Sequence, residues 1–162
     1  MRLFYALTFD EASRTRLHRI ARTAEVGTPT RAENIHLTLL FIGEAGGRDI
    51  TCLKGVLSAL PPIPTIYRCS GLGSFGSIIW AAVEPAEPLI TCNTALVKDL
   101  KVEFPWIDTR PLTPHITLVR KAQRKDLSPF TPFEINAESI SLMHSHRVGG
   151  VLTYTPIAVR PL

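Results

Sequence analysis

The stretch of sequence that decides the fold spans residues 35–42 and reads Ile35-His36-Leu37-Thr38-Leu39-Leu40-Phe41-Ile42. Its central His-Leu-Thr-Leu returns 79 residues later, in a chain of 162 residues, as His115-Ile116-Thr117-Leu118. Successive side chains of a β-strand point to opposite faces, so His36 and Thr38 share one face and the two leucines share the other. We therefore predict two strands that bury their aliphatic side chains and bring two imidazoles and two hydroxyls to one cleft.

Length and composition indicate an ordinary globular protein. A chain of 162 residues is large enough for a real core, and its 45% hydrophobic and 20% charged residues argue against disorder. No apolar run approaches the roughly 18 residues that span a bilayer. The N-terminal segment is too short and too interrupted for a signal peptide. We expect a single domain over residues 1–162, a cytoplasmic monomer with no membrane association.

The three cysteines are odd in number, and no two of them have C-x-x-C spacing. Such a set fits neither a closed disulfide framework nor a common metal motif. We expect reduced, buried and inert thiols at Cys52, Cys69 and Cys92.

The net charge of +4 is mildly basic, and the densest basic cluster, residues 120–125, directly follows the second His-x-Thr copy. One interpretation of this cluster is a solvated loop. The other is a rim that steers phosphate groups, which its position next to the motif favours.

The remaining pattern predicts alternating strands and helices. We expect further strands over residues 2–9, 65–72, 77–83, 115–120, 133–143 and 151–159, with a turn over residues 73–76. Helices are indicated after a cap at Asp10, over residues 49–60, and around an apolar stripe at Leu89, Cys92, Leu96 and Leu100. The predicted class is α+β, with two lobes that each contribute one His-x-Thr strand. The halves share little other sequence, so any repeat is structural.

Paired histidines suit displacement at phosphorus. Imidazole titrates at about pH 6.5, so a neutral ring accepts a proton from the attacking group while a protonated ring donates one to the leaving oxygen. The attacking and leaving oxygens lie roughly in line, and threonine hydroxyls donate hydrogen bonds to the non-bridging oxygens. The chemistry needs no metal, and the sequence contains no convincing carboxylate cluster for one, so we expect no cofactor.

A single His-x-Thr strand arises often by chance and has no function in most proteins. Two copies, each with aliphatic residues at both alternate positions, favour a shared functional site.

The sequence resembles the 2H phosphoesterase superfamily, and more closely its bacterial and archaeal RNA 2′,3′-cyclic phosphodiesterases, also called 2′-5′ RNA ligase-like proteins. The resemblance covers nearly the whole chain. It is carried by residues 1–6, 33–43, 71–75, 79–81 and 110–120, and by the order and spacing of the two motifs.

The resemblance implies a bilobal, LigT-like fold with a central cleft, helices outside, and metal-independent hydrolysis of a 2′,3′-cyclic phosphate to a 2′-phosphate. It makes His36 the proton donor and His115 the proton acceptor, although the pseudo-symmetry permits the reverse. Thr38 and Thr117 would hold the phosphate, and Arg120 would add a phosphate or ribose contact.

Two positions complicate that assignment. Strict alternation puts Arg120 on the face opposite His115, so it needs a β-bulge, a twist or its own long reach to enter the cleft. A basic residue often follows the first tetrapeptide in the family, and this chain has Leu40 there, on the same predicted face as His36 and Thr38. The length and identity of the substrate therefore stay open.

Three other features are weaker candidates. His144 and His146 would share a strand face as metal ligands, but no third ligand is evident, so a polar loop or strand end is the better interpretation. Phe41 and Trp106 are candidates for stacking on a nucleobase. Alternation favours core packing for Phe41, and loop or core packing is favoured for Trp106.

Three functions remain open at this point. The leading hypothesis is hydrolysis of 2′,3′-cyclic phosphates at RNA ends, with reverse 2′-5′ ligation allowed by microscopic reversibility. A phosphodiesterase acting on small cyclic nucleotides is the second. A non-catalytic module that binds RNA ends is the third, and it is disfavoured because binding alone does not require an acid and a base.

Overall fold

The structure, a computed structural model, describes residues 1–123 and 129–162. Its helices are α1 (Glu11–Ala21), α2 (Gly47–Ala59) and α3 (Glu87–Leu100). Its strands are β1 (Arg2–Phe9), β2 (Thr28–Pro29), β3 (Leu37–Glu44), β4 (Ile66–Phe75), β5 (Ile78–Glu84), β6 (His115–Arg120), β7 (Phe133–Val148) and β8 (Val151–Pro161). The α+β class predicted from the sequence is confirmed. None of the helices in the described residues is long and apolar enough to cross a membrane.

The described strands form one antiparallel sheet in the order β1-β3-β6-β5-β4-β7-β8, with β2 added to β6. A further pairing of β1 with β7 closes the first six strands of this order into a ring. The long strand β7 joins two lobes, because its residues 133–136 pair with β4 and its residues 137–145 pair with β1. One lobe therefore contains β3, β1, the second part of β7 and β8, and the other contains β6, β5, β4 and the first part of β7.

The two lobes meet at the two His-x-Thr segments. The only backbone register between β3 and β6 in the described residues is Leu37 opposite Ile116. An antiparallel register through this pair sets His36 across from Thr117 and Thr38 across from His115. The sheet topology thus brings the two copies of the motif side by side at the centre of the molecule.

β1 lies at the centre of its lobe and is buried on both faces. Leu3, Tyr5 and Leu7 point into the main core, where they pack with buried residues of the helices. Phe4 and Ala6 point to the other face and form a separate small cluster with Met143, against which Tyr154 packs. The cleft face of the first lobe therefore has its own apolar support beneath the motif.

The helices follow the predicted patterns. The Asp10 side chain accepts a hydrogen bond of 2.8 Å from the Ser13 amide and caps α1, as predicted. In α3, the predicted stripe of Leu89, Cys92, Leu96 and Leu100 is fully buried. α3 packs on β3, and α2 packs on β7 and β8.

The turn predicted over residues 73–76 is wrong, because β4 continues to Phe75 and the chain reverses at Gly76 and Ser77. Gly73 lies inside the strand, beneath the indole of Trp80. A Cβ atom at residue 73 would lie 2.3 Å from Cζ2 of Trp80, so the glycine is required by close packing and not by a turn.

The predicted end of β7 at Met143 is also wrong, because the strand continues to Val148. Its last residues pair with β8 through a tight turn at Gly149 and Gly150, both with positive φ.

Cys69 and Cys92 are buried free thiols, as predicted, and burial raises the pKa of Cys69 to about 12 and that of Cys92 to about 11. The prediction is wrong for Cys52, which is an exposed free thiol on α2. Its helix position turns it away from the stripe of Leu53 and Leu57 that packs on the sheet.

Candidate active site

Backbone carbonyls orient both histidines in the same way. Nδ1 of His36 lies 2.7 Å from the Asn34 carbonyl oxygen, and Nδ1 of His115 lies 2.6 Å from the Thr113 carbonyl oxygen. A carbonyl oxygen only accepts, so the hydrogen of each ring is assigned to Nδ1. Nε2 of each ring is then left to carry or to accept the proton that chemistry requires.

Aromatic rings hold each imidazole from two sides. His36 lies between Phe4 and Tyr154, with ring centroids 5.1 Å and 5.0 Å away. His115 lies between Phe75 and Trp80, with centroids 5.2 Å and 5.6 Å away. Tilted and edge-to-face contacts of this kind restrict ring rotation, so both imidazoles are held in fixed orientations.

A cavity of about 580 Å³ joins the two motifs. All five site residues predicted from the sequence line it: His36, Thr38, His115, Thr117 and Arg120. Nε2 of His36 lies 3.0 Å from Oγ1 of Thr38, and the Thr38 hydroxyl donates this bond when the imidazole is neutral. The cavity has the size of a small-ligand site with a few convergent polar groups.

A β-bulge follows Thr38 in the first motif. Ala6 pairs with Thr38 and Tyr5 with Leu40, so Leu39 is an extra residue in β3. The bulge reverses the expected alternation. Leu40 is only 4% exposed and lies in the core, although it contributes to the cavity wall, while Phe41 is 55% exposed and borders the cavity. The prediction that Phe41 packs in the core is therefore wrong, and so is the prediction that Leu40 shares the open face with His36.

A second β-bulge stands at the corresponding place in β6. Trp80 pairs with Thr117 and Ile79 with Val119, so Leu118 is the extra residue. Leu118 and Val119 are both fully buried, and Arg120 emerges on the same face as His115. The bulge that Arg120 needs in order to reach the cleft is present.

The bulges make the two copies equivalent residue by residue. In each copy, the two aliphatic residues that follow the threonine are buried. The residue after them faces the cleft, and this residue is Phe41 in the first copy and Arg120 in the second. The asymmetry of the site therefore lies at this pair and not at Leu40. The signal that sequence reasoning missed was the same pair of adjacent aliphatic residues in both motifs, which breaks strict alternation.

Burial is the main cause that lowers the pKa of His36 to about 4. The Asn34 carbonyl opposes this shift, and the nearby positive charges of Arg120 and His115 add to it. His36 is therefore neutral at neutral pH in the protein without a ligand. A bound phosphate anion would have the opposite effect and would raise this pKa.

The two arginines on the cavity wall differ in availability. Arg110 donates hydrogen bonds of 2.7–3.2 Å to both carboxylate oxygens of Asp108, and this contact lowers the pKa of Asp108 to about 2. In the part of the chain that the structure describes, no carboxylate lies within ion-pair distance of Arg120. Arg120 can therefore bind an anion in the cavity without first breaking an ion pair with a carboxylate.

The described residues contain no group of three or more His, Cys, Asp or Glu side chains arranged to hold a metal ion. The rings of His144 and His146 stack in parallel with centroids 4.5 Å apart, and Nε2 of His146 lies 2.7 Å from Oγ1 of Thr155. This pair lies on β7, outside the cavity lined by the two motifs.

Trp106 does not line the cavity. Its indole nitrogen donates a 2.7 Å hydrogen bond to the Ile42 carbonyl, and its ring packs on Phe104, so it anchors its own loop. Of the basic cluster after β6, Arg124 and Lys125 lie outside the described residues, and the phosphate-steering rim stays a prediction.

These features define a class of protein: an α+β fold in which two lobes each present one His-x-Thr strand to a shared cleft. The family model of the 2′-5′ RNA ligase superfamily matches residues 9–148, and the chain belongs to that family.

Individual relatives agree with this membership. The chain is 26% identical over 164 residues to an RNA 2′,3′-cyclic phosphodiesterase of Escherichia coli, with 96% of this chain and 93% of the relative covered. A protein of the same description from Archaeoglobus fulgidus is 29% identical over 109 residues, or 62% of each chain.

Solved structures share the whole fold. The crystal structure of E. coli LigT complexed with 3′-AMP has a TM-score of 0.86 at 25% identity and covers 99% of this chain and 97% of its own. The protein TT0787 of Thermus thermophilus has a TM-score of 0.84 at 26% identity, with 100% of this chain and 98% of its own covered.

Proposed function

We propose that this protein hydrolyses 2′,3′-cyclic phosphates at RNA ends to 2′-phosphomonoesters, as a single-domain cytoplasmic monomer that needs no metal. The observation that carries the proposal is the pair of imidazoles, His36 and His115, each fixed through Nδ1 and each on the wall of one cavity. The E. coli and A. fulgidus relatives described as RNA 2′,3′-cyclic phosphodiesterases support the choice of substrate. One chain supplies both histidines, which supports a monomer, and three free cysteines fit a reducing compartment.

In this proposal the cyclic phosphate lies between the two motifs. The hydroxyls of Thr38 and Thr117 donate to its non-bridging oxygens, and Arg120 balances their negative charge. Donors held ready in a partly desolvated site stabilise the charge that develops as the attacking oxygen approaches. The O3′–P bond then breaks and leaves the phosphate on O2′.

The two histidines divide the proton transfers. His115 accepts a proton from the attacking water, and His36 donates a proton to the leaving O3′. The low pKa of His36 in the free protein means that the donor must gain its proton as the phosphate anion binds. A bell-shaped pH profile would report the pKa values of the coupled pair and would not assign a role to either residue.

The terminal nucleoside fits the rest of the cavity. Phe41, 55% exposed, and Phe75, 48% exposed, offer aromatic surface on the cavity wall for a nucleobase. A cavity of about 580 Å³ accommodates one nucleotide. A cavity of this size also fits a free cyclic nucleotide. Hydrolysis of small cyclic nucleotides by the same chemistry is therefore the second candidate function. Ligation of RNA ends through a 2′-5′ bond would be the same reaction in reverse.

An assay on an RNA oligomer that ends in a 2′,3′-cyclic phosphate tests the proposal. We expect turnover to a 2′-phosphate, identified by chromatography against synthetic 2′- and 3′-phosphate standards, and an unchanged rate in EDTA. A non-catalytic RNA-end binder would retain salt-dependent binding without turnover. A 3′-phosphate product, or activity lost in EDTA and restored by a divalent metal, would overturn the proposal.

A further inference from the structure

A second, smaller cavity of about 130 Å³ adjoins the active site. It shares His36, Thr117 and Arg120 with the main cavity, but His115 is not part of its wall. It therefore opens on the His36 side of the site. Its further wall includes Arg31 and Tyr154, and neither of these lines the main cavity.

Hydrogen bonds on two sides preform this cavity. The Thr30 amide donates to the Leu118 carbonyl over 2.8 Å, and the Thr30 hydroxyl donates to the Thr117 carbonyl over 2.9 Å, so the segment before Arg31 is tied to β6. On the other side, the Asn34 side-chain amide donates to the Leu152 carbonyl over 3.0 Å and ties the segment to β8. The backbone that carries Arg31 is thus held against both lobes.

The cavity wall has positive charge. Arg31 and Arg120 both contribute to it, and the carboxylate that pairs with Arg31 is that of Glu33, which lies outside the lining. The two partners are 53% and 55% exposed, so the pair contributes little net stability. An anion that enters the cavity can therefore displace Glu33 from the Arg31 guanidinium at a small free-energy cost.

The size of the cavity restricts what it can hold. Its volume of about 130 Å³ is less than a quarter of the 580 Å³ of the main cavity. The smaller space suits a single phosphate group better than a nucleoside. Guanidinium groups are well suited to phosphate because they donate two parallel hydrogen bonds.

We propose that this second cavity binds the phosphodiester that links the terminal nucleotide to the rest of the RNA strand, with Arg31 as its principal contact. The inference rests on the proposed function. If His36 protonates O3′, the terminal ribose lies on the His36 side, and the strand leaves the active site towards the second cavity. Arg31 then makes an RNA end a better substrate than a free cyclic mononucleotide.

The test compares three substrates: a nucleoside 2′,3′-cyclic phosphate, a dinucleotide ending in the same cyclic phosphate, and that dinucleotide with an uncharged methylphosphonate linkage. We expect the wild type to prefer the charged dinucleotide by about tenfold in kcat/KM and to lose this preference with methylphosphonate. The Arg31→Gln variant should lose the same factor in kcat/KM on the charged dinucleotide and keep its kcat/KM on the other two substrates. Glu33→Gln removes the ion-pair partner of Arg31 and should therefore raise kcat/KM on the charged dinucleotide.

Arg48→Gln, which removes an exposed charge on α2, is the matched control and should leave all three rates unchanged. The proposal is overturned if Arg31→Gln slows the mononucleotide and the charged dinucleotide equally, or slows neither. It is also overturned if the wild type accepts the methylphosphonate as well as the phosphodiester. No turnover of any substrate by the wild type would instead refute the hydrolytic function, so the two failures are distinguishable.

Discussion

His36→Ala and His115→Ala are each expected to lower kcat on a cyclic-phosphate RNA end by about 10²–10⁴-fold, the range that one positioned acid or base contributes. In the proposed mechanism, each replacement removes one proton transfer and leaves the phosphate contacts of Thr38, Thr117 and Arg120 in place. KM should therefore change much less than kcat. Steady-state rates with a labelled oligomer measure both quantities.

His144→Ala is the matched control, because this histidine lies on β7 outside the cleft, and it should retain wild-type rates. Circular dichroism and thermal unfolding of all three variants establish that they are folded. A folded His36→Ala or His115→Ala protein with wild-type kcat would rule out that residue as a catalyst.

His36 should also make the stability of the fold depend on pH. Its pKa is lowered from the ordinary 6.5 to about 4 in the folded protein. Between these values the unfolded chain binds a proton that the folded chain does not, so stability is fully present at neutral pH and falls as the pH decreases through this window. For this one group the loss reaches about 3 kcal/mol by about pH 4.

Urea unfolding at about pH 7 and about pH 4.5 measures this dependence. The free energy of unfolding of the wild type should fall more steeply than that of His36→Gln, which lacks the titrating ring, by about 2–3 kcal/mol over this interval. His146→Gln, which removes a histidine outside the cleft, should follow the wild type. Parallel pH dependences for the wild type and His36→Gln would contradict the burial of a neutral imidazole at this site.

Much of the fold could be predicted because local patterns determine it. β1 matches its predicted bounds because the aromatic and aliphatic residues 3–7 form a short apolar run of strand length. α3 follows from leucines and a cysteine that recur at helical spacing. The shared face of His36 and Thr38, and of His115 and Thr117, follows from the two-residue period of a strand. The pairing of the lobes through Leu37 and Ile116 is a long-range register that no local pattern contains.

The β-bulges were the main source of error. A bulge depends on which residues of the neighbouring strand lie opposite, so Leu39 and Leu118 do not reveal it individually. The extra residue in β3 turns Phe41 from the core to the cleft, and the extra residue in β6 turns Arg120 towards His115. The hairpin at Gly76 was misplaced for a related reason, since the requirement for glycine at residue 73 comes from Trp80 on the adjacent strand.

The two histidines have equivalent surroundings, but the residues beside them that would contact the rest of the substrate differ. Both imidazoles have the same carbonyl contact and the same kind of aromatic surroundings. After the equivalent bulges, however, one copy presents the ring of Phe41 and the other the guanidinium of Arg120. This difference is what the proposed substrate requires, with a nucleobase on the side of Phe41 and a negatively charged phosphate on the side of Arg120.

The most direct test of the divided proton transfer changes the leaving atom of the substrate. A cyclic phosphate with sulfur in place of O3′ expels a thiolate, which needs no protonation because a thiol is far more acidic than an alcohol. On this substrate His36→Ala should recover to within about tenfold of the wild-type rate, while His115→Ala should remain slower by about 10²–10⁴-fold. The same loss in both variants with both leaving atoms would contradict an acid at His36 and a base at His115.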